Sequence, residues 1–72
     1  MKMSIVLKKV LTREFPAISF TIKQNEDIIS IITDKSNILM KDEIKSVIEE
    51  VLGFKIQTQI DVHEITFVYL EV

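Results

Sequence analysis

The chain has no cysteine, so no disulfide framework and no thiolate metal site can form. A reducing cytoplasm is therefore the expected location. There is one glycine, Gly53, so no glycine-rich loop exists to cradle a phosphate, and no His-Glu-x-x-His zinc signature occurs. No apolar run approaches the roughly 18 residues that a membrane span requires. The apolar residues near the N-terminus are interrupted by Lys8 and Lys9, unlike the unbroken core of a signal peptide. These absences exclude most metal, thiol and phosphate chemistry. No cofactor and no membrane partner are expected, and no enzyme is predicted.

What is present belongs to a folded chain. Hydrophobic residues make up 47% and charged residues 28%, outside the hydrophobe-poor, charge-rich range of disordered sequences. Seventy-two residues suit one domain built on one core. A core of that size supplies only about 3 to 5 kcal/mol, so a second subunit is a natural source of further stability. The net charge of -2 provides no electrostatic footprint for nucleic acid.

Periodicity divides the chain into six elements. Met3, Val6, Leu7, Val10, Leu11 and Phe15 form an amphipathic stripe that predicts a helix over about Ser4 to Glu14, with Ser4 as N-cap and Pro16 ending it. Ile18, Phe20 and Ile22 alternate with polar residues as a half-buried strand does. Asn25-Glu26 is the expected turn, pairing Ile22 with Ile29 and Phe20 with Ile31 in the hairpin that follows. Residues 27–33 are apolar on both faces, as in an interior strand. After a turn cluster at Asp34 to Asn37, Ile44, Val47, Ile48, Val51 and Leu52 predict a second helix over Lys41 to Leu52, closed by Gly53. Ile38-Leu39-Met40 reads equally as an extended approach or an early helical turn. Alternation then predicts a third strand over Phe54 to Ile60 and a fourth over Glu64 to Val72, the last apolar on both faces.

The order is α-β-β-α-β-β, an α+β class. Leu7, Val10, Leu11 and Phe15 match Ile44, Val47, Ile48 and Leu52, so the single domain 1–72 reads as two αββ units, 3–33 and 40–72. With the second and fourth strands interior and two local hairpins, the expected sheet is four-stranded and antiparallel in the order 1-2-4-3. A right-handed crossover puts both helices on one face, which gives a circularly permuted ferredoxin-like sandwich. This element order resembles the small domains of some bacterial secretion and pilus-assembly proteins, a likeness of architecture that no residue motif carries.

Two clusters invite a chemical reading. In Asp61-Val62-His63-Glu64 a histidine lies between carboxylates, a pattern able to orient an imidazole or hold a divalent ion, although polar turn residues account for it equally. Lys2, Lys8, Lys9 and Arg13 form a basic strip on the first helix, which would suit a small nucleic-acid-associated regulator; a solvated helix face is the simpler explanation. The open face of the sheet is more informative. If Ile29, Ile31, Phe67 and Tyr69 face the helices, then Ile28, Ile32, Val68, Leu70 and Val72 face away from them. Such a contiguous aliphatic patch marks a contact surface. The expected function is protein-protein interaction without catalysis, through a homodimer or another protein partner that uses the sheet face or an edge strand.

Overall fold

A computed structural model describes residues 3–71. The first helix, α1, spans Met3–Glu14 and buries Leu7 and Leu11 on its inner face. It is already helical at Met3, so Ser4 lies inside it rather than capping it, and the cap position falls outside the described residues. The Phe15 N–H donates to the Leu11 carbonyl at 2.9 Å in the last turn, and Pro16 carries the chain away.

Strand β1 (Thr21–Asn25) pairs with β2 (Ile28–Asp34). It starts three residues later than the alternation at Ile18 predicts, because other groups hold the lead-in. The Ser19 carbonyl accepts from the buried Thr33 hydroxyl at 2.9 Å, and the Phe20 carbonyl accepts from Lys8 Nζ at 2.6 Å. The hairpin turn also differs from expectation. Its loop is Glu26-Asp27, with Glu26 at φ 56°, the positive φ required at the first position of a tight two-residue hairpin turn. Ile22 therefore pairs with Ile31, and Gln24 with Ile29. The register moves by two residues, and since side chains alternate with a period of two, Phe20, Ile22, Ile29 and Ile31 stay on the expected face.

Asp34 opens a 3₁₀ segment, Lys35–Met40, by accepting from the Ser36 N–H at 2.8 Å. The ambiguous Ile38-Leu39-Met40 stretch is thus helical in character. Helix α2 runs over Lys41–Leu52, the span that the sequence predicts, and buries Ile44 and Ile48. Asp42 and Glu43 lie in its first turn, where they complement the positive end of the helix dipole. Gly53 ends it in the left-handed region at φ 83°, its N–H donating to the Glu49 carbonyl at 2.8 Å.

Strand β3 is shorter than its alternation suggests, Gln57–Ile60 rather than Phe54 to Ile60. Residues 54–56 descend from the helix layer to the sheet, and the Ile56 N–H is tied to the Glu49 carboxylate of α2 at 2.9 Å. Strand β4 spans Glu64–Leu70. The four strands form one antiparallel sheet in the order β1-β2-β4-β3, as expected. Leu7, Leu11, Ile44 and Ile48 share a single core with Ile29, Ile31, Ile65 and Phe67, so both helices cover the same sheet face.

Gly53 gives a direct test of this frame. A Cβ there meets nothing within 4 Å, so the cost of a side chain is that of the backbone conformation alone. Gly53→Ala should lower unfolding stability by about 1 kcal/mol in urea titrations, and Gly53→Asn by less, since asparagine tolerates the left-handed region. Equal losses for both variants would point to a steric cause instead.

Candidate interaction surface

The pairing of β2 with β4 fixes what the open face displays. Ile28 lies opposite Leu70, Ser30 opposite Val68, Ile32 opposite Thr66 and Asp34 opposite Glu64. Alternate residues Ile29, Ile31, Ile65 and Phe67 are buried under the helices, so the first set turns outward. Of the five residues expected to form a patch, Ile28 and Leu70 are 44% and 60% exposed, Ile32 and Val68 are half-buried, and Val72 lies outside the described residues. Lys23, Lys55 and Gln57 on the flanking chain are themselves exposed and leave the Ile28–Leu70 pair open to solvent. The face is graded along its length, aliphatic at the Ile28–Leu70 end and acidic at the Asp34–Glu64 end.

The aliphatic end continues into a groove of about 540 Å³. Its walls include Val68, Tyr69 and Leu70 on one side and Phe54, Lys55, Ile56 and Gln57 on the other, with Ile28 adjoining. Neighbours in sequence on both chains contribute, so the groove is a gap where the chain before β3 splays from β4 rather than a dent in one face. The Phe54 ring meets the Tyr69 ring edge-on at a centroid distance of 6.2 Å. Tyr69 is 5% exposed, and its buried hydroxyl has no hydrogen-bond partner among the described residues. Burial, with the Glu71 carboxylate as a smaller contribution, pushes the phenol above its ordinary pKa.

The alternation of Phe54 to Ile60 predicts a regular strand through Phe54 to Ile56 and carries no sign of this groove. The signal was Gly53. A chain that ends a helix there must still cross from the helix layer to the sheet, and the next residues cannot all be paired.

Of the other two candidates, the turn cluster is tied up in local hydrogen bonds and the basic strip has one member engaged. His63 is exposed, and its carbonyl accepts from the Lys35 N–H at 3.0 Å; Lys35 Nζ donates to the Asp61 carbonyl at 3.0 Å, and Asp61 Oδ1 accepts from the Val62 N–H at 2.6 Å. The cluster is thus a turn closed by its own polar groups. Among the described residues no group of three or more His, Asp or Glu side chains could hold a metal ion. On α1, Lys8 is turned to the Phe20 carbonyl, which removes one cation from the basic strip, and Lys2 lies outside the described residues. Among the described residues no helix is long and apolar enough to cross a membrane. No protein-family model, no curated protein and no solved structure matches the chain.

His63→Ala should leave the melting temperature unchanged, with or without added zinc, in thermal scans followed by circular dichroism; a zinc-dependent rise in the wild type that the variant loses would restore the metal reading. Asp34 has its carboxyl held below the ordinary range, first by the Ser36 N–H, then by the Ser36 hydroxyl, with His63 adding a small attraction. A lowered folded-state pKa contributes stability above the unfolded-state value, and that contribution fades as the pH falls through the folded-state value. Asp34→Asn should therefore flatten the acid limb of the stability profile and leave the limb above neutrality unaltered.

Proposed function

We propose that this domain is a protein-protein interaction module without catalytic activity, which works in the cytoplasm by self-association through the open face of its sheet. The observation that carries this reading is the Ile28–Leu70 pair, two large aliphatic side chains facing each other across the central strands and both open to solvent, with Ile32 and Val68 beside them. Contiguous apolar area of this kind is where proteins meet partners. We further read the αββ-αββ order with its 1-2-4-3 sheet as a circularly permuted ferredoxin-like sandwich, in which helices cover one face and the other is left for assembly.

Self-association is the most economical form of contact for such a face. A twofold dimer needs only one self-complementary surface, and a domain of this size gains most from extending its core across an interface. Burying even about 400 Å² of apolar area per subunit is worth on the order of 10 kcal/mol before the large cost of association is subtracted. The surplus is a modest affinity. A cysteine-free chain also suits a reducing compartment.

The test is the mass in solution. Val68→Glu puts a charge at the expected contact, so light scattering over a range of concentrations should show wild type and the helix-face control Lys9→Glu as dimers and Val68→Glu as a folded monomer. If wild type is monomeric at every concentration and Val68→Glu changes neither its stability nor the binding of any partner, the reading fails.

A further inference from the structure

The backbone of β4 is unpaired at a position beside the groove, Leu70. Along an extended strand successive N–H and C=O groups point to opposite sides. The Glu71 N–H donates to the Asp27 carbonyl at 2.7 Å and the His63 carbonyl accepts from Lys35, so odd-numbered residues of β4 turn to β2. The Glu64 carbonyl accepts from the Asp61 N–H at 2.8 Å, so even-numbered residues turn to β3. Val68 meets Gln57 there, the last pair of that ladder. Leu70 points the same way with both its N–H and its carbonyl, and the residue that would pair with it, Lys55, is outside the ladder. Among the described residues neither group of Leu70 has a hydrogen-bonding partner across this gap.

We infer that the groove beside Leu70 is a pairing slot for one short extended segment of another protein, which takes the ladder position that Lys55 leaves empty. Three features specify that occupant. The free donor and acceptor of Leu70 are matched by one peptide unit in extended conformation, the mode in which a strand is added to a sheet. A purely hydrocarbon occupant would leave them unmet. The walls from Ile28, Phe54, Val68 and Leu70 accept an aliphatic side chain. Lys55 is the one charged residue among those lining the groove, and the Glu71 carboxylate is turned away to Gln24 on the β1 side at 3.1 Å. The segment is therefore aliphatic beside Leu70 and acidic beside Lys55. Glu49 keeps the slot open, because its hold on the Ile56 N–H ties the incoming chain to α2. This inference rests on the interaction-module reading but needs no self-association.

The test uses the whole domain labelled with nitrogen-15. In the free protein the Leu70 amide should exchange with solvent at least tenfold faster than that of Val68. A capped hexapeptide alternating valine and glutamate should shift the amide resonances of Val68, Leu70 and the 54–57 segment and slow exchange at Leu70. Alternating valine with lysine, or N-methylating every amide of the first peptide, should weaken binding at least tenfold, and Lys55→Glu should reverse the preference between glutamate and lysine. Leu70 exchange as slow as that of Val68 in the free protein, no shift at millimolar peptide, or equal binding of the N-methylated peptide each overturns the slot. Light scattering on the same samples keeps the two readings apart: a slot that fails in a protein that still self-associates sinks the slot alone, and peptide binding to a protein monomeric throughout sinks self-association alone.

Discussion

The antiparallel pairing of β2 with β4 is the constraint on which the rest depends. Its seven-residue register, from Ile28 opposite Leu70 to Asp34 opposite Glu64, decides the orientation of fourteen side chains together. A slip by one residue would turn one strand over against the other, moving either Ile29 and Ile31 or Phe67 and Tyr69 out of the core. Most of the helix-facing core belongs to this pair. The helices contribute Leu7, Leu11, Ile44 and Ile48 as a lid over it, and each edge strand contributes little more than an aromatic or aliphatic anchor, Phe20 before β1 and Ile56 before β3. The same register exposes the aliphatic patch, because both central strands are apolar on their two faces and the helices cover only one.

The parts of the fold that were legible in the sequence are those set by repeated patterns. Helix α2 was legible to the residue because three signals agree, an apolar stripe, acidic residues in the first turn and a single glycine after the last. The strand order was legible because Ile28 to Ile32 and Ile65 to Leu70 are apolar on both faces while the other two strands alternate. Single local interactions were not legible. The Glu26 turn requires a non-glycine residue at positive φ, which composition does not announce. The late start of β1 comes from Thr33 and Lys8 reaching carbonyls 14 and 12 residues away in sequence. In the lead-in to β1 side chains occupy backbone carbonyls that a longer ladder would use, and alternation carries no record of that competition.

The candidate surface divides in the same way. Ile28, Ile32, Val68 and Leu70 follow from parity alone, so four members of the patch could be named before any coordinates. The groove beside them depends on where a chain leaves one layer and joins another. That is a matter of three-dimensional path, decided by Gly53 reversing the chain and Glu49 holding Ile56. Glu49 serves twice here, its carbonyl accepting from the Gly53 N–H and its carboxylate from the Ile56 N–H. One helical residue thereby fixes both the end of α2 and the beginning of β3.

The grading of the open face restricts how two copies can meet. Asp34 and Glu64 face each other across the central strands at one end, and a carboxylate buried without a cation is far more costly than an aliphatic side chain left in water. In a twofold assembly each residue meets a surface related to its own by the axis. An axis through the middle of the face, near Ser30 and Val68, would bring the acidic end of one copy toward the aliphatic end of the other if the strands ran antiparallel across the interface. An axis near Ile28 and Leu70 leaves both acidic ends at the periphery, in solvent, and superposes aliphatic area on aliphatic area. The grooves of the two copies then lie close to the axis, since Ile28, Val68 and Leu70 belong to patch and groove alike. Face packing draws on their side chains, while strand addition draws on the backbone of Leu70, which points within the plane of the sheet. The two proposed modes of contact would therefore use different atoms of the same residues.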